Sequence, residues 1–541
     1  MDIRKAIENI FPVLEEIPER CRIHAPVEQR GYVVNGGMAR WEGPVQEVFS
    51  PVCVRTAAGY ARARIGSFPL MTEKEALSAL DAAAAAYDNG RGAWPTMAVG
   101  KRIEHVQRFA AGMKERREEV VRLIMWEIGK TRVDAEKEFD RTVAYIADTV
   151  DALKDLDRVS SRFVIEHGII GQIRRAPLGV ALCMGPYNYP LNETFTTLIP
   201  ALIMGNTTIL KPPRHGILIF SPLLEALRAS FPPGVVNTLY GAGRSVTPPL
   251  MRSGKVDVLA FIGTSKAANA LLKEHPKPNR LRLVLGLEAK NPAIVLADAD
   301  LDQAVEECIA GSLSFNGQRC TALKVIFVHE SIAPDFISRL SRGISSLTVG
   351  MPWTPGVMIT PLPEQEKPDY LTGLLEDARR LGAEVMNDAG GTVNGSFFYP
   401  ALVYPVNDRM RLYREEQFGP VIPVIPFKEM EAPIRYIEES DYGQQVSIFG
   451  RDPQLLAELI DPLANQVSRV NLNCQCQRGP DIFPFTGRKD SAVGTLSVSD
   501  ALRAFSIRAL VAAKDIDINK GIIRDIVREH RSNFLSTDFI L

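Results

Sequence analysis

The stretch GVALCMGPYNYP, residues 179–190, decides the fold of this chain. It begins with a short apolar run that stops at Gly-Pro, and the runs NTTILKPP, VVNTLYG, VDVLAFIG and RLVLG follow it up to residue 290, separated by helical patterns. Short apolar strands that alternate with helices are typical of a parallel sheet with crossover helices. A second series of this kind occupies residues 293 to about 470. The sequence therefore predicts an α/β protein with two doubly wound domains in tandem.

The composition narrows the possible partners and the compartment. The 541 residues include 63 basic and 64 acidic side chains, so no strong field attracts nucleic acid or a membrane surface. No apolar run approaches the roughly 20 residues that a membrane helix needs. Seven sparse cysteines and an acidic amino-terminal segment predict a cytoplasmic protein. Cys474 and Cys476 form a CxC pair without a second pair, so no metal site is expected.

One cysteine stands in an unusual setting. The segment SFNGQRCTALK, residues 314–324, places Cys320 directly after Arg319 in polar, glycine-containing surroundings. A cationic neighbour favours the thiolate, which is the nucleophilic form of cysteine. The local sequence alone leaves a structural cysteine as the alternative.

Two turns between strands and helices carry a cofactor signal. YGAGRSV contains Gly241 and Gly243 after an apolar strand, although valine stands where a GxGxxG motif has its last glycine, and an ordinary turn is the alternative. In LKPPRHG, Lys211 ends a strand and two prolines follow it, which places the lysine rigidly at the edge of the sheet where nucleotides bind. Arg214 is suited to pair with a 2′-phosphate, with a solvated basic loop as the alternative.

Six motifs, taken in order, resemble those of the aldehyde dehydrogenase superfamily: GPYNYP, LKPP, FIGTSK, GQRCT, EEQFGPV and FPFTGRKDSAVG, within residues 30 to 510. The resemblance implies an NADP-binding domain (1–157 and 176–290), a catalytic domain with the nucleophilic cysteine (291–470), an oligomerisation arm (158–175 and 471–513) and a carboxyl-terminal tail (514–541). A β-arm of this kind implies a homodimer or a homotetramer.

The resemblance also implies roles for single residues. Cys320 is implied to be the nucleophile, and Asn188 the side-chain donor of the oxyanion hole. The implied cofactor-binding residues are Lys211, Arg214, Gly241, Gly243, Gly263, Thr264, Glu416 and Phe418. A glutamate often stands in the family where this chain has Arg214, so the cation favours NADP over NAD.

Within the superfamily, the chain resembles most the non-phosphorylating, NADP-dependent glyceraldehyde-3-phosphate dehydrogenases. The letters that carry this likeness are NYP, GQRCTALK, QRGPDIFPF and EFDRTVAYI. They imply a pocket for the substrate phosphate made of Arg141, Tyr189, Arg319 and Arg478. The implied substrate is glyceraldehyde 3-phosphate or a similar small phosphorylated aldehyde, and the implied product is 3-phosphoglycerate.

One motif departs from the family. Its ELGGK motif carries the glutamate that activates water, whereas this chain reads VLGLEAKNP, with Lys290 at the place of the lysine and Gly286 at the place of the glutamate. Glu288 stands two residues on and faces the same side of an extended segment, so we predict it to be the general base. Three alternatives stay open: a structural Glu288, a dehydrogenase that passes the acyl group to coenzyme A, and a non-catalytic scaffold that keeps the fold.

Overall fold

The computed structural model describes residues 3–57 and 59–539. The amino-terminal part is a short helix followed by two antiparallel hairpins, where the sequence shows strand-like pieces broken by glycine and proline. The longer hairpin joins strands of 12 and 11 residues. The elements are α1 (Ile3–Glu8), β1 (Val27–Glu28), β2 (Gly31–Val34), β3 (Gly37–Arg40), β4 (Val45–Thr56) and β5 (Gly59–Pro69).

Four helices follow: α2 (Glu73–Tyr87), α3 (Val99–Lys114), α4 (Arg117–Ile128) and α5 (Arg132–Ser160). Thr72 begins α2 through a capping box with Glu75. Gly129, at φ 70°, ends α4 in the left-handed conformation that glycine tolerates best. Two residues later, the Thr131 side chain accepts a hydrogen bond from the Asp134 amide and begins α5. The long helix α5 then packs against α3 and α4.

The next part of the chain forms a hairpin and the first parallel sheet. Its elements are β6 (Phe163–Glu166), β7 (Ile169–Pro177), β8 (Val180–Met184), α6 (Asn192–Ile203), β9 (Thr207–Lys211), α7 (Leu224–Ser230), β10 (Val236–Thr238), α8 (Gly243–Arg252), β11 (Val258–Ile262), α9 (Ser265–Glu274) and β12 (Arg282–Gly286). The strand order is β10-β9-β8-β11-β12. The chain moves outward from β8 on one side and then returns to its other side. Such a switch point is where doubly wound sheets bind ligands, at the carboxyl ends of their strands.

The second sheet has seven strands. Its part of the chain contains β13 (Asn291–Val295), α10 (Leu301–Leu313), β14 (Leu323–His329), α11 (Ala333–Ser345), α12 (Lys367–Arg380), β15 (Glu384–Val385), β16 (Val393–Asn394), β17 (Phe397–Phe398), β18 (Ala401–Tyr404), α13 (Arg411–Arg414), β19 (Val421–Phe427), α14 (Glu431–Glu439), β20 (Tyr442–Gly443), β21 (Gln445–Phe449), α15 (Pro453–Leu463) and β22 (Arg469–Leu472). The order is β15-β18-β19-β14-β13-β21-β22, parallel except for β15. The tandem α/β arrangement is thus present.

The carboxyl-terminal part completes an arm. It contains β23 (Arg488–Lys489), β24 (Ala492–Val493), α16 (Val498–Ala504), β25 (Ser506–Lys514) and α17 (Asp517–Arg528). Strand β25 pairs antiparallel with β7, and β7 pairs with β6, so the arm is a three-stranded sheet. Val164, Ile165 and Leu510 are more than half exposed on it.

The arm has narrower limits than the sequence predicts. Residues 158–160 still belong to α5, and between 471 and 505 the chain lies on the two sheets instead of the arm. There β24 pairs with β12, and α16 packs against α5 and α6. Leu502 and Phe505 are fully buried at this place. Burial of this apolar surface therefore holds the segment on the first domain.

Three further features concern the described part of the chain. All seven cysteines carry free thiols. Within residues 3–57 and 59–539, no helix combines the length and the apolar character needed to cross a bilayer. The same residues contain no group of three or more histidine, cysteine, aspartate or glutamate side chains arranged to hold a metal ion.

Candidate active site

A cleft of about 1070 Å³ is lined by the carboxyl ends of β8, β9 and β12 and by loops of the second domain. Every residue that the sequence predicts for the site lines this cleft, except Gly241. Gly241, at φ 116°, forms the turn after β10, where an added Cβ would approach the Met71 carbonyl oxygen to 3.0 Å. The structure thus gathers residues that are far apart in the sequence into one cavity.

The loop before Cys320 has an unusual backbone. Phe315, Asn316 and Gly317 all have positive φ values, 48°, 55° and 69°. The Asn316 side chain fixes this turn, because it accepts from the Thr360 amide at 3.0 Å and donates to the Thr360 hydroxyl at 3.1 Å. Strained backbone held by surrounding bonds occurs at functional sites. It places Cys320, which is half-buried, on the wall of the cleft.

The charges around the Cys320 sulfur oppose one another. Burial raises the pKa of the Cys320 thiol, and the carboxylate of Glu193 raises it further. The cations Lys324 and Arg478 act in the opposite direction and lower this pKa. The thiolate therefore depends on two cations, Lys324 four residues further along the chain and Arg478 from a distant segment.

The sequence indicates Arg319 as the cation that favours the Cys320 thiolate, but in the structure the Arg319 guanidinium binds other groups. Its guanidinium donates to the carbonyl oxygen of Gly311 at 2.8 Å and to Gln475 Oε1 at 3.3 Å, and its Nε is buried without a partner. The prediction is wrong on this point, because adjacency in the chain does not fix the direction of a long side chain. Arg319 nevertheless lines the cleft.

Asn188 stands next to the cysteine loop. Its Nδ2 donates to the carbonyl oxygen of Gln318 at 2.9 Å, two residues before Cys320. The backbone carbonyl oxygen of Asn188 accepts a hydrogen bond from Lys130 Nζ at 2.8 Å. The side-chain amide is therefore buried and held close to the nucleophile.

A buried ion pair lies beneath this loop. The side chains of Lys130 and Glu138 are both fully buried, and they are joined by a bond of 2.5 Å. Glu138 Oε1 also accepts from the backbone amides of Leu191 and Asn192, at 3.0 and 3.1 Å. The Lys130 ammonium lies 3.4 Å from the centre of the Tyr189 ring. The pair therefore fixes residues 188–192 from two sides.

The residues predicted for the substrate phosphate meet in this part of the cleft, but two acids neutralise them. Arg141 makes two bonds of 2.8 Å to Asp481, and Arg478 Nε donates to the same carboxylate at 3.1 Å. Arg478 also forms an ion pair with Glu193. Burial opposes ionisation of Asp481, yet the two arginines hold its pKa below the ordinary value. The hydroxyl-bearing ring of Tyr189 completes this wall.

Lys211 marks the wall suited to a cofactor. Burial lowers the pKa of this lysine to about 8, and the ammonium donates to the Pro212 carbonyl oxygen at 2.8 Å. No carboxylate pairs with it among the residues that the structure describes. A Cβ added at Gly243 would still be 4.0 Å from Lys211 Cε, so open space adjoins the ammonium, with the exposed Arg214 nearby on the cleft wall. A nucleotide with ribose hydroxyls and phosphates fits this space and these donors.

The turn between β11 and α9 borders the same wall. Thr264 begins α9, because its hydroxyl oxygen accepts from the Ala267 amide at 3.2 Å. The amide of Gly263 donates to the Gly286 carbonyl oxygen at 3.0 Å, which ties the turn to β12. This helix amino terminus faces the cleft and is suited to an anionic group.

Glu416 and Phe418 connect the cofactor wall to the nucleophile. Glu416 forms an ion pair with Lys324 and accepts from the Ala289 amide at 3.2 Å. Lys324 Nζ also donates to the Cys320 carbonyl oxygen at 3.3 Å. Phe418, at φ 43°, meets the Tyr187 ring edge-to-face at 5.9 Å. One buried ammonium is therefore shared by the cysteine loop and the carboxylate expected at the ribose.

Glu288 lies on the same cleft wall, bound to a helix end. Its Oε2 accepts from the Ser265 amide at 2.7 Å and from the Ser265 hydroxyl, at the start of α9. Gly286 is the last residue of β12, and it pairs with Ile262 and Ala492. The position that carries the family's glutamate thus has no carboxylate, and the role of Glu288 as a base stays a prediction.

Several charged residues of the site escape sequence reasoning; besides Lys324 they include Lys130, Glu138, Glu193 and Asp481. Asp481 lies inside the quoted motif QRGPDIFPF, Glu138 is the first residue of EFDRTVAYI, and Glu193 follows the motif NYP by three residues. The signal available in the sequence was that these acids lie in or near motifs whose arginines need partners. Lys130 gave none, because it lies eight residues before Glu138, outside the spacing of a helical ion pair.

The family is identified by comparison with known proteins. The chain belongs to the aldehyde dehydrogenase family, whose model matches residues 52–510. The fold class and the family predicted from the sequence are therefore confirmed.

Individual relatives support this assignment. An NADP-dependent glyceraldehyde-3-phosphate dehydrogenase of Streptococcus equinus is 34% identical over 460 residues, which cover 83% of this chain and 92% of that protein. Aldehyde dehydrogenase 1A1 of Homo sapiens is 32% identical over 367 residues, 65% of this chain and 72% of that protein. The crystal structure of an NADP-dependent glyceraldehyde-3-phosphate dehydrogenase from Bacillus halodurans complexed with NADP has a TM-score of 0.82 and 29% identity, covering 90% of this chain and 100% of that one.

The geometry around Cys320 yields a first prediction. Glu193→Gln removes the carboxylate that raises the pKa of the Cys320 thiol and frees Arg478 from this ion pair, so this pKa should fall. The pH dependence of alkylation by iodoacetamide measures it. Glu364→Gln, in the same cleft, is the control and should leave the profile in place. Equal profiles for parent and Glu193→Gln would contradict the assignment.

Proposed function

We propose that this protein oxidises glyceraldehyde 3-phosphate, or a similar small phosphorylated aldehyde, to 3-phosphoglycerate with NADP as the hydride acceptor. One observation carries the proposal: Arg141, Arg478 and Tyr189 line the same cleft as Cys320. Relatives named for this activity, such as that of Streptococcus equinus, cover most of the chain. The substrate phosphate competes with Glu193 and Asp481 for the arginines, because a phosphate dianion accepts charge-assisted bonds better than one carboxylate.

The first step belongs to Cys320 and Asn188. The thiolate of Cys320 adds to the aldehyde carbon, and the carbonyl oxygen becomes an alkoxide. The Asn188 amide and the backbone N–H of Cys320 donate to this oxygen. An oxyanion donor of this kind contributes about 3 kcal/mol to the stability of the transition state.

The cofactor wall sets up the oxidation. NADP bound at this wall would supply the hydride acceptor for the adduct carbon, and the oxidation leaves a thioester on Cys320. Lys211 and Glu416 would hold ribose hydroxyls, and Arg214 would hold the 2′-phosphate. The charge on Lys211 is available below its pKa of about 8, so binding at this wall is favoured at neutral pH.

The thioester is released by water. We assign the proton acceptor to Glu288, whose carboxylate leaves the Ser265 amide and takes a proton as the hydroxyl adds to the thioester carbon; the Cys320 thiolate then departs. A second candidate is transfer of the acyl group to coenzyme A. It is favoured by one observation, that Gly286 supplies no carboxylate and Glu288 is bound at a helix end.

The setting of the enzyme follows from two features. The exposed apolar residues of the arm, such as Val164 and Leu510, are the surface through which we infer that subunits form a homodimer or homotetramer. The nucleophile must stay a free thiol, and a reducing compartment such as the cytoplasm meets that condition.

Cofactor choice is tested at Arg214. Arg214→Glu should lower the ratio of kcat/KM with NADP to that with NAD by roughly 10-fold or more, because a carboxylate repels the 2′-phosphate and accepts from a ribose hydroxyl. Arg280→Glu, equally exposed but outside the cleft, is the control. An unchanged ratio for Arg214→Glu would remove Arg214 from the cofactor site.

Substrate phosphate is tested at Arg141. Arg141→Met should raise KM for glyceraldehyde 3-phosphate by roughly 10- to 150-fold, since a charge-assisted contact contributes about 1.5–3 kcal/mol. An unphosphorylated aldehyde of similar size should keep its KM. Arg117→Met is the matched control, because Arg117 also makes two 2.8 Å bonds to an aspartate, Asp140, away from the cleft. Equal losses on both aldehydes would mean a structural role for Arg141.

The base is tested by pre-steady-state kinetics. Glu288→Gln should keep a burst of NADPH near one per active site and then slow by about 10²–10⁴-fold, because an amide cannot take the proton of water. Glu193→Gln, a carboxylate of the same cleft, is the comparison and should not slow thioester hydrolysis.

Three outcomes contradict parts of the proposal. Full turnover by Glu288→Gln, or slow hydrolysis in Glu193→Gln alone, would move the base elsewhere. Acceleration by coenzyme A with an acyl-coenzyme A product would establish the second candidate function. Absence of any NADPH formation by the parent protein would indicate a scaffold without activity.

A further inference from the structure

A second cavity, separate from the active-site cleft, lies at the root of the arm. Its volume is about 510 Å³, and it is bounded by the start of α3, the end of α5, strand β7 and residues 531–534 of the carboxyl-terminal segment. None of its lining residues belongs to the cleft. The volume falls within the range of roughly 300–1,000 Å³ that is common for small-molecule sites.

Cations dominate the wall of this cavity. Its charged lining residues are Arg102, Arg174, Arg175, Arg531 and Asp157. Arg531 is compensated by an ion pair with Glu529 outside the cavity. Burial lowers the pKa of Arg102 to about 10, and the neighbouring charge of Arg174 acts in the same direction. The remaining cations exceed the one carboxylate by two charges.

Arg174 is the centre of this excess. The residue is 7% exposed, and its Nε is buried without a hydrogen-bond partner. Its Nη2 stands 3.6 Å from Asp157, beyond hydrogen-bond distance, and donates to the Asp538 carbonyl oxygen at 3.1 Å. Nη1 donates to the Asn533 carbonyl oxygen at 3.3 Å. A buried guanidinium with an unused donor, whose ion-pair partner Asp157 lies beyond hydrogen-bond distance, is suited to receive an anion.

Part of the remaining wall is apolar. Leu153, Met204, Phe534 and Tyr87 contribute hydrocarbon and ring surface to it. An inorganic ion alone would leave this surface and most of the volume unused. A ligand that combines a dianionic group with an apolar or aromatic part would match both kinds of wall, and a phosphate monoester carries about 1.5 to 2 negative charges at neutral pH.

The carboxyl-terminal segment closes one side. Gln172 binds the backbone of Ser536 through both ends of its amide, and the Ser536 amide donates to it at 3.1 Å. Asn533 Nδ2 donates to the Thr96 carbonyl oxygen at 2.8 Å. Because residues 531–534 form one wall, a ligand that filled the cavity would contact them.

We propose that this cavity binds a small organic phosphate, with the dianion at Arg174 and the apolar part against Phe534 and Leu153, under the carboxyl-terminal segment. The inference does not depend on the function proposed for the cleft. It gives a role to a segment that the chemistry at Cys320 does not use.

Isothermal titration calorimetry with phenyl phosphate tests this site on the full chain saturated with NADP. One molecule should bind per chain with Kd below about 1 mM. Inorganic phosphate and phenol, which each carry one half of the ligand, should bind at least tenfold more weakly. Arg174→Met should weaken phenyl phosphate binding at least tenfold, whereas Arg141→Met, in the cleft, should not.

A second measurement does not depend on a variant that folds. Phenyl phosphate should slow hydrogen–deuterium exchange of the backbone amides of residues 531–538 in the parent protein. Absence of binding, an unchanged exchange rate at saturation, or loss of binding in Arg141→Met with retention in Arg174→Met would each overturn the proposal.

Discussion

The site depends on one buried ion pair, between Lys130 and Glu138. Neither side chain reaches solvent, and each makes further bonds to the loop that follows β8. Removing one partner of such a pair costs about 3–5 kcal/mol, because the other charge is left buried and alone. The pair thereby fixes Asn188 through its carbonyl oxygen and Tyr189 through its ring. Asn188 and Tyr189, the residues expected at the oxyanion and at the substrate phosphate, therefore both depend on this ion pair.

The electrostatics of the cleft are nearly balanced in the structure. Asp481 and Glu193 compensate Arg141 and Arg478, and Arg478 in turn acts on the Cys320 thiol. An arriving phosphate therefore enters an ordered network rather than an open cluster of cations. Arg478 pairs with both acids and also lowers the pKa of the Cys320 thiol. Binding of a phosphate at Arg478 is therefore expected to alter the reactivity of Cys320.

The sequence predicted much of this arrangement and missed a definable part. The alternation of strands and helices predicted the two sheets, and the ordered motifs predicted residues that, except for Gly241, line one cleft. Both signals can be read without tertiary information, because they depend only on periodicity and on order along the chain. The direction of Arg319, the partner of Glu288 and the acids beside the arginines escaped prediction. Each is decided by which segment folds against which, and a long polar side chain binds whatever acceptor the fold brings within reach. The limits of the arm were missed for the same reason, since residues 471–505 are held by burial against the first domain.

The contacts of Lys324 restrict which substitutions this sequence can accept during evolution. Its ammonium is buried and divided between the Cys320 carbonyl oxygen and the Glu416 carboxylate. Replacement of Glu416, the residue expected at the ribose, leaves the Lys324 charge buried without its carboxylate partner. A replacement at position 324 strands the carboxylate instead. We therefore expect the two positions to change together, and a change of dinucleotide preference to involve residues such as Arg214, which stand outside this bond.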